Sequence, residues 1–386
     1  MSEIKVNSIK GVSASTAAIS IDNSSGTCTA NITNNLSNKN LIINGAMNVH
    51  QRGDASYTLN SSNTNNFIVD RFRVFSAAGT IVASQDTTVP DGQGFAKSIK
   101  LDCTVADTST EAEGYIEYRP EAQNFYHLAY GTSGAKTITV SFWVKSSLAA
   151  TYGFYYYIPD AGPRVYQTTF TISSANTWEK KTITIVGDTG GSGFNNDTGV
   201  GAEIRIYFNG TSGQRGSSNQ NSWGTNSSNR LPTGTNLLSS TSNDFFLTGF
   251  QIEVGSHATD YEFCSFAKEL SYCQRYCYVI NMDLGNYSGF VGQALSADNA
   301  QVTSTFPVPM RDVPTYTGSD TAMRFQSQNS SVNRNFSALS IHRVPQQRPV
   351  AVIGLQDDDV GSMTAGQAVL LMAMANSGKM TFESEL

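Results

Sequence analysis

The sequence predicts an all-β fold, and three observations predict it. Segments 137–145 and 246–255 each alternate apolar and polar residues with the period of two that a half-buried strand requires. Between and around them lie many short runs of the same kind, separated by turn residues at the spacing of a β-sandwich or jelly roll. The composition agrees. Charged residues make up only 15% and apolar residues 39%, and the difference is filled by Ser, Thr, Asn and 33 Gly, with 17 Tyr and 20 Phe. That is the make-up of a turn-rich β protein rather than of an α/β metabolic enzyme.

The elements follow in order. Residues 1–40 hold only weak alternation (Ile4, Val6, Ile9) and two short strand-like runs, 19–21 and 27–32. Such a segment buries too little apolar surface to stand alone. It reads as an N-terminal extended anchor that packs on other chains or on a larger assembly, the other reading being a loose terminus. Residues 41–266 read as a central jelly-roll β-sandwich. Its strands are predicted over 71–75, 95–101, 114–118, 137–145, 152–158, 165–172, 180–186, 202–208 and 245–254. In the fourth of these, Ile138, Val140, Phe142 and Val144 share the face that supplies a core, and Thr139, Ser141, Trp143 and Lys145 share the other. The interruption 209–243 is nearly pure Ser, Gly, Asn and Thr around Trp223, and is too long for an ordinary connection, so an exposed functional loop is expected. Residues 267–386 are expected to hold one short helix and a small C-terminal β domain. The helix is predicted over 266–278, with Phe266, Leu270, Cys273 and Cys277 as its buried stripe. Strands follow at 289–292, 301–306, 337–342, 350–355, 367–374 and 379–386, the last two joined by a tight turn at Asn376-Ser377-Gly378.

Charge and motifs exclude several functions. The net charge is -6 with no basic stripe, so no nucleic-acid partner is expected. No apolar run approaches the ~18 residues of a membrane span, so no membrane insertion is expected. The opening Met1-Ser2-Glu3-Ile4-Lys5-Val6 lacks an apolar signal core, which predicts synthesis in the cytoplasm without ordinary export. Cys28, Cys103, Cys264, Cys273 and Cys277 form no CxxC pair, and His50, His127, His257 and His342 do not cluster. The thiols therefore read as small buried hydrophobes, with no metal or other cofactor. No GxSxG, P-loop or HExxH motif occurs, and the carboxylates are scattered, with Asp357-Asp358-Asp359 a solvated run; no enzymatic activity is expected.

Glycan sites combine aromatic platforms for the apolar face of a sugar ring with amides, carboxylates and Arg for its hydroxyls, on a rigid scaffold. The off-core faces of the predicted strands offer Trp143; Tyr155 and Tyr157; Arg205 and Tyr207 beside Glu203; and Gln251 beside Glu253. If these strands are neighbours, they make one concave aromatic and polar surface, with Trp223 and Asn221 at its rim. Two readings of that surface stand: a ligand face, or an interface between copies of the chain. Trp223 likewise reads as a ligand contact or as a side chain pinned by packing. Arg52 reads as a structural hydrogen-bonding residue at a strand end, and Asp70-Arg71 as a local ion pair worth little if exposed.

Several blocks resemble a family of bacteriophage tail-fibre proteins. The run from Asn40 to Gly53 (NLIINGAMNVHQRG) and Val69-Asp70-Arg71-Phe72 are similar to the family's opening, and Phe142-Trp143-Val144-Lys145 to its central strand. Leu247 to Gly255 (LTGFQIEVG) with Ala258-Thr259-Asp260-Tyr261-Glu262 resembles its closing strand, and Glu269 to Tyr276 (ELSYCQRY) the helix that follows. Phe306 to Thr315 (FPVPMRDVPT) and Phe382-Glu383-Ser384-Glu385-Leu386 complete the pattern. The resemblance covers 40–386. It implies a virion protein of the tail, a homotrimeric fibre or receptor-binding protein, with a jelly roll like those of carbohydrate-binding modules. The implied partners are other phage tail or baseplate proteins and host-surface glycan or lipopolysaccharide. A structural calcium ion, with Asp260 and Glu262 as its ligands, is implied by analogy only. A glycan-degrading tailspike-type depolymerase and a secreted carbohydrate-binding module are the alternatives, the second opposed by the missing signal core.

Overall fold

The alternation that starts the prediction is obeyed in three dimensions. Ile138, Val140, Phe142 and Val144 are fully buried, while Trp143 and Lys145 are half-buried on the opposite face. The computed structural model describes residues 6, 8–9, 19–21, 24 and 28–30 and, from 38 to 386, all but 109–112, 161, 217, 226–229, 231–234, 284, 286, 319–322, 328–332, 336–339, 344–349, 358–362 and 374–377.

Near the N-terminus, β1 (Ser8–Ile9), β2 (Ile19–Ile21) and β3 (Cys28–Ala30) form a small antiparallel sheet. Apart from residues 6, 24 and 38–40, the rest of the expected anchor lies outside the described residues. The sandwich then runs through β4 (Tyr57–Leu59), β5 (Asn65–Val69), β6 (Phe72–Ser76), β7 (Thr80–Asp86), β8 (Ser98–Val105) and β9 (Gly114–Tyr118). It continues through β10 (Ile138–Ser146), β11 (Thr151–Ile158), β12 (Arg164–Thr171), β13 (Glu179–Ile185), β14 (Glu203–Asn209), β15 (Trp223–Gly224) and β16 (Asp244–Val254). A six-stranded sheet has the order β13-β10-β16-β8-β7-β4, and a seven-stranded sheet the order β15-β12-β11-β14-β9-β6-β5. The pairings are antiparallel and the chain crosses repeatedly from one sheet to the other, the sandwich layout that the strand spacing predicts.

Aromatic rings fill the space between the layers. Phe142 stacks on Phe250 at 5.5 Å and meets Phe170 edge-on at 5.1 Å, and Phe72 meets Phe250 at 6.0 Å. Opposite Phe142 the ladder between β10 and β16 slips, with Trp143 facing Thr248 and Ser141 facing Gln251. The extra residue is Gly249 at φ +64, and a Cβ there would lie 2.6 Å from the Phe95 ring, so glycine is required on two counts.

α1 (Ala122–Phe125) is a single turn between β9 and β10. α2 covers Phe266–Gln274 and is shorter than the predicted helix. Cys273 is buried as expected, but Phe266 is 60% exposed and Cys277 belongs to the next strand, so the predicted four-residue stripe is not the helix's buried face. Beyond it lie β17 (Cys277–Met282), β18 (Tyr287–Ala294), β19 (Ala300–Met310), β20 (Thr315–Gly318), β21 (Met323–Ser327), β22 (Asn333–Asn335), β23 (Ser340–Arg343), β24 (Val350–Asp357), β25 (Ala368–Ala373) and β26 (Gly378–Glu383). They form sheets β17-β26-β20 and β22-β21-β25-β18-β19-β24-β23 over a second core that includes Phe290, Phe325, Leu371 and Phe382. The expected hairpin at 376–378 is not made: β25 pairs with β18 and β21, whereas β26 pairs with β17 and β20. Asn376, Ser377, Asp358 and Asp359 lie outside the described residues.

The two cores meet at a buried ionic junction. Arg71, 1% exposed and at φ +72, lies 3.6 Å over the Tyr276 ring, pairs with Glu385 and donates to the Arg119 carbonyl. Arg52 reaches Asp70 at 3.5 Å, Glu383 at 2.7 Å and Glu385 at 3.3 Å. Arg275 clamps Glu121 through Nε (2.6 Å) and Nη2 (2.8 Å), and the Tyr276 hydroxyl donates to the same carboxylate at 2.6 Å. Arg311 donates to the carbonyls of Ser384, Thr198 and Glu385. Asp70 and Arg71 are therefore not the exposed local pair of the sequence reading. Each is buried and each finds its partner elsewhere, and burial pushes the Asp70 carboxyl above its ordinary range despite Arg52 and Gln51.

Candidate functional site

The outer face of the seven-stranded sheet is built in cross-strand rows. One row runs Gln167 (β12), Tyr155 (β11), Arg205 (β14), Glu117 (β9) and Arg73 (β6). The row beside it runs Thr169, Gly153, Tyr207, Tyr115 and Phe75 on the same strands, and on the other side Tyr157 faces Glu203. Period-two alternation puts all of these on the face away from the core. Tyr155, Tyr157, Arg205 and Tyr207, four of the residues selected from sequence, are thus brought together.

Arg205 is the centre of the face. Its Nε donates to Glu117 at 2.7 Å, its Nη2 to Glu203 at 2.5 Å and its Nη1 to the Tyr207 hydroxyl at 3.1 Å, and its guanidinium carbon lies 4.3 Å from the centre of the Tyr115 ring. Arg73 and Arg119 also pair with Glu117, and Arg119 with Glu203 at 3.0 Å. Burial works against the charge on Glu117, but Arg205, Arg119 and Arg73 hold its carboxyl below the usual carboxylate range. Burial raises the Tyr155 and Tyr207 phenols well above theirs.

The long interruption after β14 is not a free loop. Arg230 donates to Glu113 at 2.8 Å, Gln167 donates to the Gly216 carbonyl at 2.6 Å, and β15 adds to β12. Tyr155 and Tyr207 are only 2% and 1% exposed as a result, so they support the face from beneath. Tyr157, Glu203, Arg119, Arg73 and Phe75 are the part-exposed side chains, and they make a strip along which a ligand can lie.

The other selected residues lie elsewhere. Trp143 and Gln251 are on the six-stranded sheet, so the seven residues do not form the one concave surface expected of them. Trp143 lies in register between Lys180 and Thr248, and beside it the Lys145 ammonium is 4.2 Å from the Phe246 ring centre. Gln251 is fully buried: its amide donates to Glu253 at 3.0 Å and its carbonyl accepts from the Glu262 amide at 2.8 Å. Trp223 does not rim the outer face. Its indole donates to the Val186 carbonyl at 2.7 Å and its ring packs against Tyr130, Tyr156 and Tyr166, closing one edge of the inner core.

The residues proposed for calcium do not fit it. Glu262 accepts backbone amides of Asn38 and Asn40, Asp260 is exposed, and among the described residues no group of three or more His, Cys, Asp or Glu is placed to hold a metal ion. Cys103, Cys273 and Cys277 are buried, and Cys264, half-buried, donates to Glu269 at 3.0 Å with its thiol pushed up to about 12 by burial and that carboxylate. Among the described residues no helix is long and apolar enough to cross a membrane. Sequence reasoning missed Glu117, Tyr115 and Arg73; the alternation of 114–118 carried the signal for the first two.

No family model matches the chain, and no curated protein matches its sequence. Solved structures similar to it include the enzymatically active domain of tailspike protein 4 from bacteriophage CBA120, at 12% identity and a TM-score of 0.30, covering 56% of this chain and 21% of the tailspike chain. A family 11 carbohydrate-binding module of a Clostridium thermocellum cellulosomal cellulase is similar at 15% identity and a TM-score of 0.25, covering 54% of this chain and 98% of the module. An exo-beta-agarase is similar at 8% identity and a TM-score of 0.29, covering 75% and 40%. With scores this low, what the sandwich does must be read from its own residues.

Proposed function

We propose that the protein is a tail-fibre or receptor-binding protein of a virion, a homotrimer that meets host-surface glycan or lipopolysaccharide through the outer face of the seven-stranded sheet. Residues 1–40 join it to other tail or baseplate proteins, and it is made in the host cytoplasm and acts in the particle. The observation that carries the glycan reading is the strip of Tyr157, Glu203, Arg119, Arg73 and Phe75 over a locked Arg205–Glu117–Tyr207 base. Aromatic rings suit the apolar face of a sugar, the charged groups suit its hydroxyls, and the base holds both in place. The tail-fibre reading draws on the ordered blocks of the resemblance. Five of these blocks supply residues to the one ionic junction: Arg52, Asp70 with Arg71, Arg275 with Tyr276, Arg311, and Glu383 with Glu385.

Binding without hydrolysis is the favoured form. Glycoside hydrolysis needs a carboxylic acid held protonated beside a second carboxylate. Glu117 is pulled the other way by three arginines. Weak contacts suffice, because several copies on one particle convert millimolar affinities into firm attachment.

The test is an array of bacterial surface polysaccharides and lipopolysaccharides probed with the full chain, with its mass measured by light scattering. Retention on at least one glycan, weakened about tenfold or more by Tyr157→Ala, and a mass three times 41.6 kDa are expected. A stable monomer, or no retained glycan, would overturn the proposal, and release of reducing ends would replace it with the depolymerase.

A further inference from the structure

A second cleft lies beside α2. Its volume is about 400 Å³, within the range of small-ligand sites. Ile43 comes from the segment that opens the sandwich, Asn124 from α1, Ser271 and Tyr272 from α2, Arg275 from its C-cap and Val308 from β19. Both cores thus contribute walls.

Three properties of the lining point to one class of ligand. Tyr272 is 45% exposed, and its ring has the Lys268 ammonium 5.6 Å from its centre. Among the described residues, the side chains of Asn124, Ser271 and Tyr272 make no hydrogen bond, so donors and acceptors at the cleft are unspent. Arg275 brings a positive charge, but Glu121 neutralises it in a two-point clamp at 2.6 and 2.8 Å, which leaves Nη1 with a single long contact to the Pro309 carbonyl at 3.5 Å. The cleft therefore offers an aromatic surface, an apolar wall, unspent amide and hydroxyl groups and an Arg275 charge already compensated by Glu121. Tyr272 also lines a smaller neighbouring cleft of about 90 Å³, on the side of Asn38 and Glu262.

We propose that this cleft binds a neutral hexopyranose unit, its C–H face on Tyr272 and its hydroxyls on Asn124, Ser271 and the weakly engaged Nη1 of Arg275, with the next unit of a chain passing Tyr272 into the smaller cleft. An anionic ligand finds the Arg275 charge already taken by Glu121 and the Lys268 ammonium donating to Asn38 at the edge towards the smaller cleft, beside Glu262 and Glu269, and a wholly apolar one would bury three unsatisfied polar side chains. The site is separate from the outer face and stands or falls without it.

The test is a calorimetric or saturation-transfer NMR titration of the full chain with methyl glycosides of glucose, galactose, mannose and N-acetylglucosamine, carried into the tens of millimolar. At least one should saturate. Tyr272→Ala should weaken it about tenfold, and Ser271→Trp should abolish it by filling the cleft. Absence of saturation with every glycoside, or saturation indifferent to both α2 substitutions, overturns the proposal. Should Tyr272→Ala lower the melting temperature, Ser271→Trp decides.

Discussion

Arg205 shows how much of the outer face is framework. Each of its nitrogens has a partner and its flat side lies against Tyr115, so it positions Glu117, Glu203 and Tyr207 rather than reaching for a ligand. Glu117 is the most consequential of these partners. Its carboxyl is held below the 4.5 of an unperturbed Glu, with burial opposed and outweighed by three arginines. A depressed folded value means that its contribution to stability is complete above about pH 4.5 and is lost as the pH falls through the lower folded value. Glu117→Gln should therefore lower the melting temperature at pH 7 and flatten the acid limb of a melting-temperature profile. An unchanged acid limb would show that the arginines do not depend on this carboxylate. The sequence revealed the strand positions of Tyr155, Tyr157, Arg205 and Tyr207, because alternation alone assigns a face. It could not reveal that Trp143 and Gln251 sit on the other sheet, because alternation says nothing about which strands pair.

The same limit explains which elements could be read. Strands with a clean apolar stripe, such as β9, β10, β11 and β16, were legible within a residue or two. β4, β5 and β7 were not, since their sequences YTL, NNFIV and TIVASQD mix Asn, Ser and Gln into short runs that look like turns. The predicted helix overran because Cys277 continues the helical spacing of Cys273 by coincidence, while the backbone has already turned to pair with Glu383. Trp223 admits two readings in sequence because its loop carries no periodicity, and the fold selects the packed one, over Tyr130 and Tyr156. The bulge in β16 offers a direct test at this scale. Gly249→Ala forces a left-handed alanine and a clash with Phe95, and should cost about 1–3 kcal/mol in denaturant unfolding. A change below about 0.5 kcal/mol would mean that the ladder can slip without the glycine.

At the scale of the whole molecule, the ionic junction joins one core to the other. Arg71 is as buried as any apolar residue, so its charge depends on Glu385 and on the ring of Tyr276. Removing one member of a buried pair leaves the other uncompensated. Glu385→Ala should therefore destabilise the fold by about 3–5 kcal/mol, while Arg71→Met with Glu385→Leu should recover much of that loss. A single variant that melts with the wild type would show the pair to be dispensable. None of this was visible as a pair in the sequence, where Arg71 and Glu385 are 314 residues apart.

That separation has a consequence for the newborn chain. At roughly 5–20 residues per second, the ribosome delivers Glu385 some 15 to 60 s after Arg71 has left the peptidyl-transferase centre. During that interval the guanidinium cannot be sealed away at a tolerable cost in solvation, and the sandwich must wait with its seam open. The arrival of Glu385 is therefore the event that lets the seam close, and a polypeptide cut short before it would carry an unhealed edge to any cellular protease that samples it.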